Sequence, residues 1–130
     1  MAAFLFLRKH EVLALHAQLI QLFGGRAGLH DEGMLESALT APLHRAYYEA
    51  ADLVNCAATY AYHLTHAHAF IDGNKRVAAA ATELFLELNG ITLTASDTDL
   101  INLFFRVAAH ELSRETVEQM LRGWIEPSGK

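Results

Sequence analysis

The sequence predicts an all-α fold, a single compact bundle of about six helices. Three observations carry this expectation. Apolar residues recur at spacings of three and four along most of the chain. Gly, Asn-Gly and Pro interrupt those runs at helix-length intervals. The one β-branched stretch, ITLTAS, is a single short segment, and one strand makes no sheet. The 130 residues form one domain, 1–130, long enough to bury a core without disulfide or metal staples.

The elements follow in order. Val12, Leu15, Leu19, Leu22 and Phe23 fall on one stripe of a first helix that Gly24-Gly25 stops. A short helix from about Asp31 to Leu39 comes next, with Asp31 as N-cap and Pro42 closing it. Leu43 to Ala51 has no clean period and is expected to be a loop or flap. A third helix runs from about Asp52 to His66. A fourth starts near Asn74 or Lys75 and ends at Asn89-Gly90. Ser96 or Asp97 caps the fifth, from Thr98 to about His110, with Leu100, Ile101, Phe104, Phe105 and Ala108 as its apolar face. Ser113 caps the last, whose stripe is Val117, Met120, Leu121, Trp124 and Ile125.

Composition excludes several classes. The net charge of −5 argues against general nucleic-acid binding, which needs a basic excess. Charged residues are 19% and hydrophobic ones 52%, a balance opposite to that of disorder and one that leaves apolar surface for a partner. No run approaches the ~20 apolar residues of a membrane helix. The N-terminus is apolar first and basic second, the reverse of a signal peptide. The single cysteine, Cys56, reads as a buried thiol and fits a cytoplasmic protein.

The chemistry concentrates in one segment, His68-Ala69-Phe70-Ile71-Asp72-Gly73-Asn74-Lys75-Arg76, between two periodic helices. Gly73 lets the backbone approach a ligand. Asn74, Lys75 and Arg76 open the fourth helix, whose free N–H groups and dipole attract an anion. Two cations at a helix N-terminus oppose that dipole, and a bound phosphate accounts for them. Asp72 is suited to hold Mg²⁺ against phosphates, or alternatively to cap the next helix. His68 is suited to take a proton from an attacking hydroxyl, or is an ordinary loop histidine. Phe70 is expected to anchor the loop in the core. His63, His66 and His68 suggest zinc only weakly, because no Cys or Glu completes a familiar spacing. Tyr47 and Tyr48 are expected either on a flap that guides a target peptide or as half-buried aromatics.

The segment resembles the signature of the Fic superfamily, HxFx(D/E)GNxR, and more closely its death-on-curing variant, HxFx(D/N)xNKR, at His68, Phe70, Asp72, Asn74, Lys75 and Arg76. FGGRAGLHDEGMLESALTAP and NGITLTAS are similar to the family's segments before and after the motif helix, so the likeness spans nearly the whole chain. The resemblance implies a Fic-like helical fold, His68 as general base, Asp72 as the Mg²⁺ ligand, and Asn74, Lys75 and Arg76 as phosphate contacts. It implies a toxin that transfers the terminal phosphate of ATP to a Ser/Thr hydroxyl of elongation factor Tu and stops translation. The longer Fic pattern has Gly where Lys75 stands and a second Arg where Ala79 stands, a departure that weighs against the alternative of AMP transfer. A catalytically silent binding module is the other alternative. The inhibitory motif (S/T)xxxE(G/N) has no match, since Glu32-Gly33 is preceded at the required place by Gly28. The resemblance therefore implies restraint in trans, by a small antitoxin whose C-terminal segment folds into an apolar groove beside the motif.

Overall fold

A computed structural model describes residues 4–125, and among these it shows six helices and no strand. They are α1 (Lys9–Phe23), α2 (Glu32–Glu49), α3 (Leu53–Ala67), α4 (Asn74–Leu88), α5 (Asp97–Ala108) and α6 (Arg114–Gly123). The all-α expectation holds. No described helix is long and apolar enough to cross a membrane.

The bundle is built around α3, which packs against α2, α4, α5 and α6. Its sequence explains this role. Cys56, Ala57, Ala58, Thr59, Tyr60 and Ala61 form an unbroken buried run. A helix apolar all round must be enclosed, and small side chains let its neighbours come close. Tyr60, fully buried, places its ring against Phe85 and accepts the Leu7 N–H at its hydroxyl, 2.9 Å away. The extended N-terminal residues are thereby tied to the core, as a buried hydroxyl requires. Most helix starts carry the caps that their sequences specify. Asp31, Asp52, Ser96 and Ser113 each accept a main-chain N–H three residues on.

One element departs from the sequence expectation. Pro42 does not close α2. It lies inside a helix that continues to Glu49, so Leu43 to Glu49 is neither loop nor flap. Proline removes one helical hydrogen bond and costs ~3 kcal/mol, and tertiary contacts outweigh that cost. Pro42 and Ala46 are buried. Arg45 reaches the Asn55 carbonyl at 3.2 Å, the Thr59 hydroxyl at 2.9 Å and the Glu118 carboxylate at 2.7 Å, which binds α2 to α3 and α6. Ala50 then ends the helix in the left-handed region, at φ 53°.

Two apolar stripes are also divided differently from expectation. In α1 the buried residues are Val12 and His16, while Leu22 and Phe23 are exposed. In α5 the core takes Leu100, Leu103, Phe104 and Val107, and it leaves Ile101 and Phe105 more than 60% exposed. The ITLTAS segment runs extended beside the end of α6. Leu93 bridges to Ile125, and the Thr94 hydroxyl donates to the Trp124 carbonyl at 2.8 Å.

Candidate functional site

The motif loop joins the end of α3 to the start of α4, and four contacts fix its path. His68 ends α3 in the left-handed region, at φ 48° and ψ 43°, which turns its exposed imidazole out of the helix. Phe70 is buried, as expected, and stacks face to face on His16 of α1 with centroids 3.8 Å apart. The Asn74 side chain closes the loop on itself. Its Oδ1 accepts the Phe70 N–H at 3.0 Å, and its Nδ2 donates to the Phe70 carbonyl at 2.9 Å. His16 Nε2 lies 2.7 Å from the Asp72 carbonyl oxygen.

The loop after α1 runs alongside. His30 and Asp31 donate their N–H groups to the Ala69 carbonyl, and Ile71 donates to the Gly28 carbonyl at 3.1 Å. This pairing brings the main chain of residues 25 and 26 against Asp72. The Asp72 Oδ2 accepts the Arg26 N–H at 3.2 Å, and Oδ1 accepts the Gly73 N–H at 2.9 Å. Gly25 has no substitute here. A Cβ at that position would stand 2.8 Å from Asp72 Oδ2, and its φ is 113°. Gly73 is likewise left-handed, at φ 78°, with Ile20 and His16 close beneath it.

The N-cap alternative for Asp72 is not what the structure shows. Gly73 is the N-cap residue of α4, and the helix has no side-chain cap. The Asp72 carboxylate bonds only to the residue next to it and to the α1–α2 loop. The α4 N–H groups are therefore available, and Lys75 and Arg76 stand exposed beside them. The Arg76 guanidinium lies 5.1 Å above the Phe23 ring, with Nη1 3.4 Å from the Gly24 carbonyl.

His68, Asp72, Gly73, Asn74, Lys75 and Arg76 all line one open cavity of about 990 Å³. The cavity is an open groove. Leu19 and Phe23 of α1 form one wall, Ile101, Phe104 and Phe105 of α5 another, and Ala79 and Ala80 lie along α4. Glu83 and Asp97 also line it. Burial, and then Glu87 and Asp97 nearby, push the Glu83 carboxyl above the usual carboxylate range. Nothing in the sequence pattern marks Glu83 or His16 as more than helix residues. The apolar stripes expected for α1 and α5 included Phe23, Ile101 and Phe105, which the structure leaves exposed. One signal was present. Seven of the nine residues from Leu100 to Ala108 are apolar, too many for one face of a helix.

Tyr47 and Tyr48 are not brought to this cavity. They are exposed on the last turn of α2 and pack edge to face on each other at 4.8 Å. At ~1.5 Å per residue the helix carries them roughly 24 Å from Asp31, the end that adjoins the motif loop. The three histidines are also separated in role. His63 faces Arg114 at 3.4 Å, His66 Nε2 lies 2.8 Å from the Val107 carbonyl, and only His68 enters the cavity. Among the described residues no group of three His, Cys, Asp or Glu side chains is placed to hold a metal. The residue that could hold Mg²⁺ is Asp72, whose carboxylate accepts one main-chain N–H at each oxygen, since this ion takes one or two carboxylates and fills its shell from other oxygens.

Comparison with known proteins identifies the family. The Fic/DOC family model matches residues 6–86, which include α1, the motif loop and most of α4. The chain is 36% identical over 113 residues to "Protein kinase doc" of Escherichia phage P1, covering 86% of this chain and 89% of that protein. It is 35% identical over 106 residues to "Toxin Doc" of Mycolicibacterium smegmatis, covering 78% of this chain and 82% of that protein. With the family model matching more than half of the chain and both relatives covering at least 78% of it, the protein belongs to the Fic/DOC family.

Proposed function

We propose that the protein is a toxin that transfers the terminal phosphate of ATP to a Ser/Thr hydroxyl of a protein target, elongation factor Tu. The observation that carries this reading is that His68, Asp72 and the uncapped start of α4 with Lys75 and Arg76 line one cavity. The relatives named as a protein kinase and a toxin support it. The phosphates lie against the α4 N–H groups and the two cations. Asn74 contributes mainly its main-chain N–H, because its side chain already holds Phe70. Asp72 holds Mg²⁺, which neutralises charge on the phosphates. His68 accepts the proton of the target hydroxyl. That oxygen bonds to the terminal phosphorus, the bond from phosphorus to the β–γ bridging oxygen breaks, and ADP leaves.

The same reading includes restraint by a small antitoxin. Its C-terminal segment lies as an amphipathic helix in the groove between Phe23 of α1 and Ile101 and Phe105 of α5, where large apolar side chains are exposed.

The test is incubation of the protein, without antitoxin, with Mg²⁺, elongation factor Tu and ATP labelled at either the γ or the α phosphate. Label on the target from γ alone is the expected result. Label from α would establish AMP transfer instead; label on another protein when cell extract replaces elongation factor Tu would overturn the target, and no label in either mixture would favour a silent binding module.

A further inference from the structure

We propose that His16 is a positioning residue, which holds the Asp72 carboxylate in place from the far side of the motif loop through the Asp72 main chain. The side chain is 3% exposed, and His16 and Val12 are the buried residues of α1. Burying an imidazole is unfavourable unless it is hydrogen-bonded. Here the partner is the Asp72 carbonyl oxygen, 2.7 Å from Nε2. A carbonyl can only accept, so Nε2 carries the proton and donates.

The same ring does two more things. It lies flat on Phe70, at 3.8 Å and 12° between planes. It also sits beneath Gly73, where a Cβ would stand 3.6 Å from Nε2. His16 thus contacts residues 70 and 72 and lies close beneath Gly73, while Asn74 secures Phe70 from the other direction. With Phe70 and the Asp72 carbonyl both fixed, the Asp72 side chain projects toward residues 25 and 26. There its two oxygens meet the Arg26 and Gly73 N–H groups. If the carbonyl loses its donor, the peptide between Asp72 and Gly73 can rotate. That rotation turns the Gly73 N–H away from the carboxylate and loosens its hold on the Arg26 N–H.

The catalytic consequence rests on the phosphotransfer reading, and the positional claim does not. Two variants separate donor from ring. His16→Phe keeps the stacked ring and loses the donor. His16→Gln loses the ring and keeps an N–H donor. Three quantities are measured beside the melting temperature: amide hydrogen exchange at Arg26 and Gly73 in the ligand-free protein, the Mg²⁺ concentration for half-maximal transfer, and kcat and KM with elongation factor Tu.

For His16→Phe we expect faster exchange at both amides and a raised Mg²⁺ requirement. Its kcat should fall by roughly 10- to 100-fold, as for other residues that orient a metal ligand, with KM for the target little changed. His16→Gln should return all of these toward wild type. A folded His16→Phe with wild-type exchange, Mg²⁺ dependence and kcat overturns the proposal. So does a His16→Gln that is no better than His16→Phe, because the ring's packing alone would then be its role. If His16→Phe does not fold, His16→Met gives the same comparison with an apolar side chain that adapts to irregular space. If wild type transfers no label, the phosphotransfer reading falls by itself, and exchange at Arg26 and Gly73 still decides whether His16 positions Asp72.

Discussion

At the scale of single residues, exposure separates chemistry from packing. His68 is exposed, and its hydrogen-bonding atoms have no partner among the described residues, so nothing in the fold rests on its imidazole. His68→Ala should keep the melting temperature close to wild type and lower transfer by ~10²–10⁴-fold, the usual loss for a general base. Wild-type transfer by the folded variant would remove His68 from the mechanism. His63 is the contrasting case. Burial, then the Arg114 guanidinium and His66, hold its imidazole below the ordinary value of 6.5. The unfolded chain therefore takes up a proton at His63 near 6.5 while the folded chain resists it. The contribution is complete above that pH and is lost as pH falls through the lower, folded value. Urea midpoints should thus decline on going from pH 7.5 to about pH 5, and His63→Gln should flatten the decline. An unchanged slope would mean that other groups set it. The motif singles out His68 among the three neighbouring histidines, but nothing in the sequence assigns His63 or His66 a role. His63 and His66 share one helix end, and only their neighbours on α6 and α5 tell those two apart.

At the scale of elements, α2 shows where local signals lose. Pro42 is a strong stop signal, and the residues after it lack a clean apolar period. Their helix is held by a contact far away in sequence, the Arg45–Glu118 pair at 2.7 Å, whose side chains are 14% and 13% exposed. Breaking such a pair leaves an uncompensated, largely buried charge. Glu118→Ala should cost about 3 kcal/mol in urea denaturation. The double variant Arg45→Met, Glu118→Leu should recover much of it, since apolar pairs of similar volume replace buried ion pairs well. A loss below ~1 kcal/mol for the single change would mean that the pair is solvated and that α2 owes its second half to packing alone. Gly73 and two cations at the uncapped start of α4 make a poor helix N-terminus on structural grounds alone, and that start lines the cavity.

At the scale of the whole molecule, the bundle leaves a seam between α1, α4 and α5. Its walls carry apolar side chains that the core does not use. Phe105 is 63% exposed and Ile101 67%, so charge at either position costs the free protein little. Phe105→Arg should leave the melting temperature near wild type and weaken capture of the proposed antitoxin's C-terminal peptide by at least 10-fold, measured by calorimetry, since a charge would enter an apolar contact. Unchanged affinity would place the antitoxin elsewhere on the surface.

By itself, the sequence determined the fold class, most helix boundaries and the candidate site. Each depends on short-range information: apolar spacing around one helix, a capping side chain three residues from its amide, and a motif that supplies cations, carboxylate and imidazole within nine residues. Tertiary structure decided what depends on surfaces meeting. It set which of α5's apolar residues enter the core, carried α2 past Pro42, and buried His16 beneath a loop 56 residues away in sequence. Periodicity gives the direction in which a side chain points but not what stands there. Burial and hydrogen bonding are settled only when α1, α3, α4 and α5 pack together.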